Sequence, residues 1–306
     1  MNRFAKLAWT ALAWAVLDVL WGAFVRVTGS GSGCGNHWPA CNGAIIPTPQ
    51  HIETFIEFTH RTLSGVLLLV VLALLIWGWS KYPKGSPVRI GVTGSAMFIL
   101  LEAALGAGLV LFVLADTSNS VLTAAVVALH LLNTFILLAF LALTAWWASG
   151  GKAVSIKDKG FLPLLFGTGL AGVALLGMSG AITALGDTLF PAKTLAQGLA
   201  QDSAVNASFL IRLRVIHPLM ASLVGLYTLG LVGYIYRRIN NPLGRRLSLT
   251  LGGFVLAQLA AGVLNLLLLA PIWMQIIHLL MADSVWISYV LLSASTLSFE
   301  VARRVG

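Results

Sequence analysis

Residues 57–80 read EFTHRTLSGVLLLVVLALLIWGWS, and from 66 to 79 all of them except Gly78 are apolar. About 20 mostly apolar residues are enough for one helix to cross a lipid bilayer. The first residues of this stretch are not apolar: Glu57, His60 and Arg61 place three ionisable side chains within little more than one helical turn. Such side chains are costly at a membrane edge and rarely lie there without a partner or a role. The segment predicts a membrane helix with a functional site at one end.

The composition of the whole chain agrees with a membrane protein. Of its 306 residues, 58% are hydrophobic and 9% are charged, whereas a soluble domain usually has about 25% charged residues. The net charge of +9 would suit a nucleic-acid partner only if it formed a patch. Lys and Arg instead cluster in short loops between apolar runs, as topology-setting charges do. We therefore predict an integral membrane protein with no nucleic-acid partner.

Eight apolar stretches are long enough to span a bilayer, which predicts an all-α protein with eight transmembrane helices. Their approximate bounds are residues 7–27, 57–80, 89–114, 121–148, 161–185, 210–236, 247–269 and 273–299. The separation of the last two depends on Ala270 and Pro271, because proline interrupts the interior of a helix.

The loops predict the orientation of the chain. Those on one side, with the N-terminus and the tail at Arg303 and Arg304, hold 14 of the 19 Lys and Arg residues. An excess of positive charge marks the cytoplasmic side of a membrane. We therefore predict a multi-pass protein of the cell membrane with both termini in the cytoplasm. The loop that carries Cys34 and Cys41 is then outside.

The chain also contains an internal repeat. His60 and His217 are 38 and 37 residues after the similar sequences that begin at Gly22 and Gly180. Further matches pair Glu102 with Gln258 and the two His-Leu-Leu sequences that begin at His130 and His278. Each half, 1–150 and 151–306, has four predicted helices and so inserts with the same orientation. The prediction is two tandem four-helix bundles related by a pseudo-twofold axis along the membrane normal, unlike an inverted repeat.

Four histidines, His60, His130, His217 and His278, lie inside apolar segments at similar depth on the outer side. Each half contributes one pair from two helices. Two facing imidazoles suit axial ligation of a haem iron, and four-helix bundles commonly hold cofactors in this way. The alternative is four buried histidines that hydrogen bond to neighbouring helices. The repetition of the pattern favours haem ligation.

The two halves differ next to the first histidine of each pair. Glu57 precedes His60 by three residues, and Arg214 precedes His217 by three. A carboxylate there suits acid–base chemistry or stabilises positive charge during an oxidation, whereas Arg214, like Arg61, suits a haem propionate. We infer that the first half carries out chemistry and the second holds a permanent haem. The simpler interpretation of Glu57 is a salt bridge to Arg61 at i+4.

Cys34 and Cys41 lie in the loop predicted to be outside, where oxidation is permitted. The Gly- and Pro-containing segment between them can turn back, which makes a disulfide feasible. A structural and an exchanging bridge both fit the sequence. A metal site formed by the two cysteines and His37 is the less favoured alternative.

Together these residues resemble the haem A synthase family of the bacterial type, over essentially the whole chain. The resemblance rests on three features of the sequence. They are Gly29-Ser30-Gly31-Ser32-Gly33-Cys34 with Trp38-Pro39 and Cys41, then Glu57-x-x-His60-Arg61, and then His130, His217 and His278 in a duplicated eight-helix frame.

The resemblance implies oxidation of the C8 methyl group of haem O to a formyl group, which gives haem A for terminal oxidases. It implies that His217 and His278 bind haem b, and that His60 and His130 bind the substrate haem, with Glu57 essential. It also implies a Cys34–Cys41 disulfide. Within the sequence, Arg214 stands in place of a second glutamate, which argues against a second catalytic site in the second half.

The implied partners are haem O and haem A, membrane lipid, a haem O synthase and an electron donor. An alternative function is a two-haem electron-transfer cytochrome with bis-histidine ligation, which needs the four histidines but not Glu57. A haem transporter is a third class, which would bind haem without redox turnover.

Overall fold

The computed structural model describes residues 1–48, 51–112, 120–238 and 241–298, and its regular structure within these ranges is helical. The helices are α1 (Arg3–Val27), α2 (Ile52–Lys81), α3 (Pro87–Leu111), α4 (Val121–Ala148), α5 (Leu162–Leu189), α6 (Leu195–Ser203), α7 (Phe209–Arg238), α8 (Pro242–Leu267) and α9 (Ile272–Ser298). All except α6 are long and apolar enough to cross a membrane. The predicted all-α membrane fold with eight candidate spans is confirmed.

Several boundaries differ from the predicted ones. Helix α2 begins at Ile52, five residues before the predicted start, so that Glu57 lies in its second turn. Helix α6 occupies a region that was predicted to be loop; it has nine residues and is capped by the side chain of Thr194, which accepts a hydrogen bond from the Gln197 N–H. Hydropathy misses such a short, polar helix. The predicted ends at 114 and 299 and the basic tail at 303–304 lie outside the described residues.

Polar residues fix where several of the long helices begin. The side chains of Asn2, Ser86, Ser120 and Asn241 each accept a hydrogen bond from a backbone N–H of the following first turn. Proline follows Ser86 and Asn241 directly, where its missing N–H costs nothing because the first turn has no intrahelical acceptor for it. These caps satisfy donors that a bilayer would leave unpaired.

Within each half the long helices pack in a ring. Helix α1 contacts α2 and α4, and α3 contacts α2 and α4; in the second half, α5 and α8 each contact both α7 and α9. The halves meet through α4 against α5 and α9, and through α1 against α9. At this contact Phe135 and Trp286 stack with ring centroids 4.9 Å apart. The twofold relation between the halves stays a prediction.

The turn between α8 and α9 confirms the predicted break at Pro271. Helix α8 ends at Leu267, and Leu269 and Ala270, just before the proline, have φ angles of 60° and 52°, in the left-handed region. L-residues rarely adopt this conformation. The tight turn lets α9 pack directly beside α8. His278, which lies near the start of α9, is therefore next to α8.

Candidate functional site

The four histidines lie at similar distances from the first residues of their helices. His60, His130, His217 and His278 follow the first residues of α2, α4, α7 and α9 by eight, nine, eight and six positions, respectively. At 1.5 Å per residue this corresponds to roughly 9 to 14 Å along each helix. All four histidines are therefore more than one turn away from the starts of their helices.

Each imidazole packs against a glycine of the preceding long helix. A Cβ atom at Gly22 would lie 3.0 Å from His60 Cε1, and one at Gly180 would lie 3.0 Å from His217 Cε1. The corresponding distance is 3.2 Å for Gly262 and His278, and 3.8 Å for Gly106 and His130. The glycines therefore provide the space that the rings occupy, most tightly at Gly22 and Gly180.

In the second half the two histidines face each other. The ring centroids of His217 and His278 are 6.5 Å apart, and the ring planes are inclined at 83°. Ser179 Oγ of α5 lies 2.9 Å from His217 Nδ1, which orients that ring and leaves its Nε2 for a metal. With metal–nitrogen bonds of about 2 Å, this separation fits an iron bound to one nitrogen of each ring.

In the first half a carboxylate orients His60. Asp18 Oδ1 of α1 lies 3.1 Å from His60 Nδ1. The hydroxyl of Ser64 donates to the same carboxylate, 2.9 Å from Oδ2. An anionic partner on one imidazole nitrogen fixes the ring and raises the basicity of the other nitrogen, as in many metal sites. The corresponding group in the second half is the neutral hydroxyl of Ser179.

His130 is also held by a carboxylate. Glu102 Oε1 of α3 lies 2.9 Å from His130 Nε2, and Thr134 Oγ1 donates to the same oxygen over 2.6 Å. The side-chain amide of Asn133 donates to the other carboxylate oxygen. The second nitrogen of the ring, Nδ1, is buried and has no hydrogen-bond partner in the part of the chain that the structure describes.

Glu57 is almost completely buried, with 3% of its surface exposed. Its Oε2 accepts a hydrogen bond from the backbone N–H of Cys34 over 2.7 Å. Its Oε1 pairs with the guanidinium of Arg61, so the salt bridge of the simpler interpretation is present. Arg61 Nη1 donates in turn to the carbonyls of His37 and Ala40 over 2.6 and 2.7 Å. Glu57 and Arg61 thus join α2, beside His60, to the loop between α1 and α2 that carries Cys34 and Cys41, called the cysteine loop below.

Arg214, at the position that the repeat matches to Glu57, has different partners. Its Nη1 donates to Asp187 of α5 over 3.1 Å, and its Nε donates to Asp202 of α6 over 3.0 Å. The predicted propionate contacts of Arg61 and Arg214 stay predictions, and both guanidinium groups already have protein partners.

Cys34 and Cys41 form a disulfide, which confirms the predicted bridge. Both residues are buried. Because both sulfur atoms are in this bond, the alternative of a metal site with His37 is wrong. The hydroxyl of Thr54 in α2 donates to the carbonyl of Gly33 over 2.7 Å, and the loop therefore rests on the first turn of the helix that carries Glu57 and His60.

The sequence did not identify the partners of several polar residues around the histidines and Arg214. These are Asp18, Ser64, Asn133, Thr134, Ser179, Asp187 and Asp202. For all of these except Asp202, which lies in the polar helix α6, the available signal was a polar side chain inside an apolar helix, which usually has a partner. Only the structure tells which partner it is.

Comparison with known proteins places the chain in a family. The profile of the COX15-CtaA family, described as a cytochrome oxidase assembly protein, matches residues 5–290. The "Heme A synthase" of Exiguobacterium sibiricum is 28% identical over 266 residues, 86% of this chain and 85% of that protein. The "Heme A synthase" of Halalkalibacterium halodurans is 41% identical over 113 residues, 37% of this chain and 38% of that protein.

A longer relative matches almost the whole chain. The "Protoheme IX farnesyltransferase" of Thermus thermophilus is 48% identical over 305 residues, which is 99% of this chain but 50% of that protein. The chain therefore spans about half the length of this relative. Because the family profile covers nearly all of the sequence, the chain belongs to the COX15-CtaA family of cytochrome oxidase assembly proteins.

Proposed function

We propose that the protein is a haem A synthase that oxidises the C8 methyl group of haem O to a formyl group. Family membership supports this assignment, as do relatives named "Heme A synthase" that match over most of their length. The relatives named "Protoheme IX farnesyltransferase" are twice as long as the segment that matches. We therefore do not propose a prenyltransferase activity for this chain. We propose a protohaem farnesyltransferase as the partner that supplies the substrate, because a relative of that name contains a segment so similar to this chain.

The observation that carries the proposal is the buried carboxylate of Glu57, because the matching position of the second half has no carboxylate. Glu57 is 3% exposed and lies three residues before His60, whereas the matching position of the second half is Arg214, which is already paired with Asp187 and Asp202. An electron-transfer cytochrome would need no such difference between its halves. The difference supports chemistry in the first half, residues 1–150, and a resident haem in the second, residues 151–306.

We assign roles on this basis. His60 and His130 bind the substrate haem, and His217 and His278 bind haem b, which when bound supplies a redox-active iron. Two successive oxidations take the methyl group to an alcohol and then to a hydrate that loses water; in total the carbon gains one oxygen atom and gives up four electrons, which pass to an external electron acceptor. Glu57 accepts a proton or stabilises positive charge at the methyl carbon. The surrounding apolar helices exclude water and accommodate the farnesyl tail.

The test is to express the protein in a host that makes haem O but no haem A, and to chromatograph the extracted haems. Haem A, or its hydroxylated precursor, is expected from the wild type. Glu57→Gln should lose both products and retain haem b, while Glu53→Gln, an exposed glutamate of the same helix, should behave as the wild type. Haem b alone from the wild type would favour the electron-transfer cytochrome. Full haem A output from Glu57→Gln would remove the role of that residue.

We also propose that both termini are cytoplasmic and that the disulfide loop is outside, on the basis of the distribution of Lys and Arg. The two natural cysteines are bonded to each other, so a new cysteine would provide the reactive thiol. Lys193→Cys should react with a membrane-impermeant maleimide on intact cells, and Lys84→Cys should react only after the cells are opened. The reverse pattern would invert the topology.

A further inference from the structure

A polar cluster on α3 and α4 surrounds His130. Glu102 contacts His130 Nε2 at 2.9 Å, and the same carboxylate accepts hydrogen bonds from the side chains of Asn133 and Thr134. Asn133 Nδ2 also donates to the carbonyl of Phe98 over 3.0 Å. Glu102 is therefore fixed in place by three neighbouring side chains, in a helix pair that is otherwise mostly apolar.

The second half lacks most of this cluster. Its matching glutamine, Gln258, has Nε2 3.3 Å from His278 Nε2, and its Oε1 is buried without a hydrogen-bond partner among the described residues. Asn133 and Thr134 follow His130 by three and four residues. At the same spacing after His278, the sequence has Met281 and Ala282. The second half therefore replaces the supported carboxylate with a weakly held amide.

The cluster occupies the nitrogen through which His130 would bind iron. Nδ1 of an imidazole is bonded to Cγ, the ring carbon that is attached to Cβ and so lies nearest the backbone. A porphyrin therefore approaches Nε2 with less steric hindrance. A haem that binds His130 must then displace Glu102 from Nε2. A hydrogen bond to a carboxylate is stronger than one to a neutral amide. Displacing Glu102 from His130 would therefore cost more free energy than displacing Gln258 from His278.

We propose that Glu102, supported by Asn133 and Thr134, competes with haem for His130 and makes the first half a site of haem exchange. This inference rests on the proposed assignment of the substrate haem to His60 and His130. A substrate must be released as product in every cycle, whereas a resident haem must stay. The competing carboxylate in one half and the weakly held amide in the other meet these two requirements.

The test follows the transfer of ferric haem b from the loaded, purified protein to an excess of apomyoglobin by absorbance. The wild type should release haem in a fast phase from the first half and a slow phase from the second, and His130→Ala, which removes a haem ligand of the first half, should remove the fast phase. Glu102→Gln, which installs the residue of the second half, should slow the fast phase about tenfold, equivalent to ~1.4 kcal/mol, and leave the slow phase unchanged. Glu53→Gln is the matched control.

A reciprocal variant tests the same idea in the second half. Gln258→Glu combined with Met281→Asn and Ala282→Thr should accelerate the slow phase. A single phase in the wild type, or a fast phase that Glu102→Gln leaves unchanged or accelerates, would overturn the proposal; acceleration would make Glu102 a support for the haem. Because the probe is haem b, these results are independent of haem A production, which tests the proposed function separately.

Discussion

At the scale of single residues, the two halves differ in the group that orients the first histidine of each pair. Asp18 provides a carboxylate to His60 Nδ1 at 3.1 Å, and Ser179 provides a hydroxyl to His217 Nδ1 at 2.9 Å. An anionic partner makes an imidazole a stronger ligand than a neutral partner does. The first half therefore combines a strengthened ligand, His60, with a ligand that has a competitor, His130.

Asp18→Asn should weaken haem binding in the first half about tenfold, because partners of this kind typically contribute 10- to 100-fold in metal affinity. Titration of the purified protein with ferric haem b, followed by absorbance, measures the affinity of both halves. Ser179→Ala is the matched variant and should weaken the second half alone. Equal effects of Asp18→Asn on both halves would show that Asp18 acts on overall stability.

At the scale of helix pairs, the structure shows a glycine against each histidine ring. A Cβ atom at Gly180 of α5 would lie 3.0 Å from the His217 ring, closer than an ordinary van der Waals contact. By contrast, Gly230, on the same helix as His217, has no atom within 4 Å of such a Cβ. The position of the ring is thus set by how closely two helices approach.

Gly180→Ala should displace His217 and lower the haem b content of the purified protein, because overpacking typically costs ~1–3 kcal/mol. The haem-to-protein ratio after purification is the measurement. Gly230→Ala adds the same methyl group to open space and should retain the haem b of the wild type. Full haem b content in Gly180→Ala would show that the imidazole does not depend on this contact.

The cysteine loop is a second feature at this scale, because Arg61 ties it to α2. The guanidinium bonds Glu57 and two loop carbonyls at once. Lysine has no planar fork of donors and cannot make the same set of contacts. Arg61→Lys should therefore increase amide hydrogen exchange in residues 35–44. Arg212→Lys, which changes a contact to the carbonyl of Val205, should leave that segment unchanged; equal protection in both variants would contradict the role of Arg61.

At the scale of the whole molecule, the sequence was enough to predict the eight spans, because bilayer thickness sets a length that hydropathy detects. It also predicted the disulfide, which the structure confirms, while the roles of the four histidines and of Glu57 stay predictions. It missed α6, whose nine residues are too short and polar for that signal. It also missed the contact of Phe135 with Trp286 between the halves and that of Asp18 with His60, because an apolar pattern does not tell which helix faces meet.

The proposed assignment of catalysis to the first half and of a resident haem b to the second is tested most directly by one measurement. Paired variants are expressed in a host that makes haem b and haem O, and their haems are extracted and chromatographed. The pair His60→Ala with His130→Ala should retain haem b and yield no haem A, whereas His217→Ala with His278→Ala should lose haem b. Loss of haem b from the first pair, with haem b retained in the second, would contradict the account.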